Sequence, residues 1–137
     1  MISTSSFITI KDASGRYTGI YCNWDGYTES TGYILSMYYV NPQKLKDLIA
    51  LGSISELGIN PTTKYQDKET GFIDTTIGYN NPGSQFSTES YETLIEECKK
   101  NNVSYLYVFD EVEAEWFVAF IYYRDNELQS LTPDMVC

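Results

Sequence analysis

The chain has 137 residues, 42% of them hydrophobic and 20% charged; this excludes wholesale disorder and suits a single domain over residues 1–137 with its own core. Nine Lys and Arg against nineteen Asp and Glu give a net charge of −10, a field that repels phosphate backbones and anionic membranes and argues against direct duplex binding. Histidine is absent, which excludes Ser-His-Asp and Cys-His catalysis and His-ligated metals.

Phe7 to Ile10 alternates as a strand, Asp12 to Gly15 is turn chemistry, and Arg16 to Cys22 resumes the alternation, so an N-terminal hairpin is expected. A polar and aromatic loop, Asn23 to Tyr27, follows. From about Glu29 to Tyr39 the pattern turns helical, with Tyr33, Ile34, Met37 and Tyr38 on one stripe. Asn41 is placed to cap a second helix with Pro42 at its first position, Leu45, Leu48 and Ile49 as its buried stripe and Gly52 as its left-handed end. Ser53 to Gly58 reads as a turn and Ile59 to Gly71 as a surface loop.

Phe72 to Tyr79 predicts a weak strand, and Asn80 to Ser84 a loop. A third helix is expected from about Thr88 to Lys100, with Tyr91, Leu94, Ile95 and Cys98 inward, Glu89 and Glu92 early, and Lys99 and Lys100 late. Val103 to Phe109 and Trp116 to Tyr123 are nearly continuously apolar, so both faces of these strands should be covered. Asp110 to Glu115 joins them as an acidic hairpin, and the chain after Arg124 is polar and expected to fray. The order predicts an α+β fold: a mostly antiparallel sheet with an N-terminal hairpin, three helices and a C-terminal hairpin.

The phosphate-cradling, dinucleotide, nucleophile-elbow and zinc-protease motifs are all missing. Tyr21 to Gly32 aligns in part with a calcium loop but has Tyr21 and Gly32 where that loop needs its first and last carboxylates. Cys22, Cys98 and Cys137 form no C-x-x-C pair, and Met1 to Lys11 lacks a basic and then apolar start, so free thiols and a cytoplasmic setting are expected. Thirteen Tyr residues suit either an amphipathic core and rim or a recognition surface.

Asn23 to Tyr27 is the segment richest in binding chemistry. Trp24 and Tyr27 can sandwich a ring, Asp25 can accept from an amine or a ribose hydroxyl, and Gly26 lets the backbone turn. The structural alternative has Trp24 plugging the core and Asp25 capping the next turn. The cluster Asp110, Glu111, Glu113 and Glu115 reads first as a solvated loop. With Glu56, Asp67, Glu69, Glu89, Glu96 and Glu97 it is alternatively a phosphate-like array.

Tyr21-Cys22-Asn23-Trp24-Asp25-Gly26-Tyr27, followed by Leu48-Ile49-Ala50-Leu51-Gly52-Ser53-Ile54-Ser55-Glu56-Leu57, resembles a group of small phage and prophage proteins with the pattern Y-C-H-W-D-G-Y-P and then L-I-x-L-G-x-I-S-x-L. The match spans about the first 58 residues, with Asn23 in place of the usual His and Thr28 in place of Pro. Within that group the chain looks like the first Thoeris anti-defence family, whose members sequester a cyclic ADP-ribose signal and in some cases cyclic oligonucleotides. The resemblance implies a phage-encoded, non-catalytic sponge without a cofactor, acting in the cytoplasm of the infected bacterium.

Three functions follow in order. A nucleotide-signal sponge would use Asn23, Trp24, Asp25 and Tyr27, with Arg16 and Arg124, the two arginines of the chain, clamping a pyrophosphate where their strand ends converge, for instance in a homo-oligomer. An acidic inhibitor would instead occupy the nucleic-acid channel of a host immune protein. A metal-dependent enzyme built on Asp25 comes last, because no paired-ligand spacing supports it.

Overall fold

The computed structural model describes residues 4–65, 75–123 and 126–137. Its elements in chain order are β1 (Ser6–Lys11), β2 (Tyr17–Cys22), a wide helical turn (Thr28–Gly32), α1 (Tyr33–Tyr38), α2 (Pro42–Ile49), β3 (Ile54–Glu56), β4 (Asn60–Tyr65), β5 (Thr75–Gly78), β6 (Phe86–Thr88), α3 (Tyr91–Lys100), β7 (Tyr105–Asp110), β8 (Glu115–Phe120), β9 (Gln129–Ser130) and α4 (Pro133–Val136). The α+β class and the N-terminal hairpin are as the sequence predicts. No described helix is long and apolar enough to cross a membrane.

Among the described residues nine strands form one mixed sheet, eight of them in the order β4-β5-β3-β2-β1-β7-β8-β9, with β6 paired to β2 off that path. Three contacts are parallel, β1 with β7, β2 with β3, and β4 with β5, and the rest are antiparallel. Asp12 closes the β1–β2 hairpin by accepting from the backbone N–H groups of Ser14 and Arg16 and from the Ser14 hydroxyl. These bonds, led by the hydroxyl, hold its carboxyl below the ordinary Asp range. The far edge of β2 is shared: β6 pairs with Tyr17 to Gly19 and β3 with Cys22. Gly19 permits this, because a Cβ there would lie 2.4 Å from the Ile8 carbonyl oxygen and 2.9 Å from the Phe86 ring.

Alternate residues of the central strands feed two cores. Ile8, Ile10, Ile20, Cys22, Tyr107, Phe109, Trp116 and Val118 face α1 and α2. Phe7, Tyr17, Leu106, Val108, Ala119 and Ile121 face α3. The double coverage explains why β7 and β8 are apolar on both faces. Tyr39 ties one layer together: its hydroxyl donates to the Gly58 carbonyl at 2.7 Å and its own carbonyl accepts from Trp116 Nε1 at 3.0 Å.

α2 matches expectation in detail. The Asn41 side chain accepts from Gln43 N and Lys44 N, Leu45, Leu48 and Ile49 are buried, and Gly52 has φ +79°. α3 buries Leu94, Ile95 and Cys98 as expected but starts later than Thr88, because Ser90 is its cap and Phe86–Thr88 pairs as β6.

Four expectations are corrected. The α1 stripe is shifted: Ile34, Leu35 and Tyr39 are buried, whereas Met37 is 56% exposed and Tyr33 and Tyr38 also face outward. The loop expected over Ile59 to Gly71 contains β4; Asn60–Tyr65 forms the sheet edge, where Pro61 costs no ladder bond. The polar end does not fray, since β9 pairs with β8 and Leu131 and Met135 pack on the α1/α2 core. Among the described residues the α-helices accordingly number four, not three, with Pro133 opening α4. Of the strand expected over 72–79, residues 72–74 lie outside the described residues.

Candidate functional site

β1 runs antiparallel to β2, parallel to β7, and β7 antiparallel to β8. β2 and β8 therefore point the same way and finish at the same end of the sheet, where Cys22, Ser6, Tyr105 and Phe120 lie in register. The loop after β2 and the turn after β8 are neighbours for this reason.

Asn23 to Tyr27 leaves β2 along β3, with Asn23 N donating to Ile54 O and Trp24 N to Ser55 O. Asp25 then reverses the chain with φ +56°. Gly26 N donates to Thr4 O at 2.7 Å, and a Cβ at Gly26 would sit 2.9 Å from that oxygen, so only glycine fits against the Thr4–Ser5 backbone. The Gly26 carbonyl accepts from the buried Tyr107 hydroxyl at 2.5 Å. The Asp25 carbonyl accepts from the Thr31 N–H and hydroxyl, so Asp25 holds the following turn through its backbone rather than its carboxylate.

The loop is thus rigid, while its rings remain outside the core: Trp24 is 39% and Tyr27 40% exposed. Trp24 is no core plug. The Asn23 side chain turns back to accept from the Tyr21 hydroxyl at 3.1 Å. Glu56 lies close to Asp25; burial first, and then the Asp25 charge, raises its carboxyl above the ordinary range.

Beside this loop, and sharing Thr4 with it, lies a groove of about 250 Å³ lined by Thr4, Ser104, Tyr105, Phe120, Tyr122 and Tyr123. Tyr105 meets Phe120 edge-on at 5.6 Å, and Phe120 lies 5.5 Å from Tyr123. Tyr122 is 60% and Tyr123 69% exposed. The turn carrying them is pinned by the Asn126 side-chain amide, which donates to the Ile121 and Tyr123 carbonyls, and by the Tyr91 hydroxyl, which donates to the Asn126 carbonyl. Burial, then the nearby Glu29 carboxylate and the Tyr123 phenol, push the Tyr105 phenol up, so it is a neutral donor at physiological pH. The sequence pattern assigns Tyr105 to the strand expected over Val103 to Phe109, and Phe120, Tyr122 and Tyr123 to the one expected over Trp116 to Tyr123. The strand stops at Phe120, and the signal was the Tyr122-Tyr123 pair running past the point where the core ends.

The structure does not bring Arg16 to this end. Arg16 precedes Tyr17 and the loop follows Cys22, roughly 20 Å away at about 3.3 Å per residue. Its guanidinium donates to Ser87 Oγ at 2.8 Å and Glu89 Oε1 at 3.2 Å. Arg124 lies outside the described residues. Because β2 and β8 run in the same direction, the start of one and the finish of the other do not converge within one chain.

The acidic hairpin also lies at the far end. Asp110 uses its carboxylate to accept from Val112 N and Glu113 N, Glu111 pairs with Lys46 at 3.0 Å, and Glu115 accepts from the Ser130 hydroxyl. Among the described residues no group of three or more acidic or Cys side chains is arranged to hold a metal ion. A second, more polar cavity of about 370 Å³ lies on the α3 side, lined by Phe7, Tyr21, Ser53, Ser84, Phe86, Glu97 and Asn101. No family model, curated protein or solved structure matches the chain.

Proposed function

We propose that the chain is a non-enzymatic binding protein that stacks a flat ring of a small ligand in the groove of Tyr105, Phe120, Tyr122 and Tyr123. Following the resemblance of Tyr21 to Tyr27 and Leu48 to Leu57, the ligand is a cyclic ADP-ribose-type or cyclic oligonucleotide immune signal. The protein is then a phage anti-defence sponge acting in the cytoplasm of an infected bacterium. The carrying observation is the groove itself: aromatic walls around about 250 Å³, against a backbone pinned at Gly26 and Asn126. A cavity of about 150 Å³ already accepts benzene, so a substituted heterocycle fits. Stacking on such walls is tolerant of ring identity.

The alternative, an acidic inhibitor that mimics nucleic acid, is less favoured. At the acidic end Asp110 is committed to its turn, Glu111 is paired with Lys46 and Glu89 with Arg16.

Thermal unfolding with cyclic ADP-ribose isomers and cyclic di- and trinucleotides tests the proposal. A ligand at about 100 times its dissociation constant stabilises by about 2.7 kcal/mol and should raise the melting temperature by about 5–10 °C. The ligand should be recovered unchanged after denaturation. Ligand turnover, or no shift across the panel, would overturn it.

A further inference from the structure

We propose that the cavity on the α3 side is a second binding site, separate from the tyrosine groove, and that it takes a monosaccharide ring. Its floor is aromatic. Phe86 stacks on the buried Phe7 ring with centroids 4.4 Å apart, and Tyr21 meets Phe7 edge-on at 6.3 Å. Phe7 thus fixes both half-buried rings, which offer an apolar surface to the C–H face of a sugar.

Polar groups from three separate parts of the chain stand around these rings. Glu97 and Asn101 lie one helical turn apart at the end of α3, and the Asn101 amide donates to the Glu97 carbonyl at 2.8 Å. The Glu97 carboxylate meets Lys100 at 3.7 Å, a single loose contact that leaves most of its acceptor positions to a ligand. Ser84 Oγ accepts from Ser53 N and donates to the Asn81 carbonyl, both at 2.7 Å, and Gln85 clamps the same loop to the Ile49 carbonyl at 2.9 Å. The Tyr21 hydroxyl donates to Asn23 Oδ1, so its oxygen is left to a ligand as an acceptor. Hydroxyls, a carboxylate and a carboxamide around an aromatic floor match a ring with hydroxyls on its rim and C–H groups on its faces. A flat apolar ring would cover the floor but strip water from Glu97 and Ser53 without replacing it. At about 370 Å³, against about 150 Å³ for benzene, the cavity has room for a pyranose.

The methyl α-pyranosides of glucose, galactose and mannose, titrated into the full chain and followed by its aromatic NMR signals, test this. The control is 2-(hydroxymethyl)tetrahydropyran, the same ring without its ring hydroxyls. At least one pyranoside should shift the Tyr21 and Phe86 signals to saturation, while those of Tyr122 and Tyr123 stay in place. It should bind about tenfold tighter than the stripped ring. Glu97→Gln should weaken it about five- to tenfold and Ser53→Ala about two- to fivefold. Both side chains lie outside the two cores, so both variants should melt as the unmodified chain does. Saturation by none of the three, a stripped ring that binds as tightly, or undiminished binding by both variants would overturn the inference. Binding of choline in place of the pyranosides would overturn it too, and make the cavity a cation site. Each of these outcomes leaves the stacking groove standing, since the two sites share no described lining residue.

Discussion

Tyr107 shows how one side chain serves both packing and site. Its ring is fully buried on the α1/α2 face of the sheet, and its hydroxyl reaches the Gly26 carbonyl. The same hydroxyl would be in van der Waals contact, at 3.4 Å, with a Cβ at Gly32. Burial pushes this phenol well above its ordinary pKa, so it remains a donor throughout the physiological range. Tyr107→Phe keeps the ring and removes the donor, leaving a buried carbonyl unpaired. We expect a loss of about 1–3 kcal/mol and a melting temperature lower by about 2–12 °C. Denaturant unfolding checks this; a change within about 0.5 kcal/mol would mean that the loop is held by Thr4, Ile54 and Ser55 alone.

At the scale of elements, legibility tracked how local the determining forces are. α2 was readable because its cap, its Pro and its terminal glycine lie within twelve residues and act on neighbouring backbone. β7 and β8 were readable because burial on both faces demands continuous apolar sequence. α1 was not, because Tyr33, Met37 and Tyr38 satisfy helical spacing as well as Ile34, Leu35 and Tyr39 do, and only the sheet decides which stripe turns inward. β4 escaped notice because Pro61 argues against a strand unless the strand is at an edge, and edge position is a property of the whole sheet. β9 and α4 were missed because their anchors are two side chains, Leu131 and Met135, in a polar stretch.

The candidate site was legible by half. The Asn23–Tyr27 loop announced itself by composition, and the structure places it beside the groove, tied to Thr4, with none of its own residues in the described lining. The groove rings were hidden in a run that read as core, since local pattern does not mark where β8 stops. Arg16 lies away from this end because it precedes β2 and the loop follows it, so the six residues of that strand separate the two.

The whole molecule has two distinct ends. Aromatic rings, the Asn23–Tyr27 loop and Glu29 lie at one; Asp12, Glu89, Asp110, Glu111 and Glu115 lie at the other with Lys11, Arg16 and Lys46. Between them the two cores hold groups whose ionisation burial disfavours. Burial pushes the thiols of Cys22 and Cys98 from 9.0 up to about 12, and the Tyr39 phenol from 10.0 up to about 12. Below about pH 8 all three are almost wholly protonated in both states and contribute little pH dependence. Between about pH 8 and 12 the unfolded chain releases these protons and the folded chain keeps them, so stability falls as pH rises. The denaturant midpoint should therefore be lower at about pH 10 than at about pH 8; an equal midpoint would show that the cores open readily enough for the thiols to titrate.

The central claim is that the aromatic end, within one chain, holds the ligand. Calorimetric titration of the panel ligand that raises the melting temperature most, into the unmodified chain, Tyr123→Ala and Arg16→Ala, tests it directly. Loss of one stacking ring should cost about 1–3 kcal/mol, so Tyr123→Ala should bind about 5- to 150-fold more weakly, while Arg16→Ala at the far end binds as the unmodified chain does. Undiminished binding by Tyr123→Ala, or binding lost in Arg16→Ala, would contradict it.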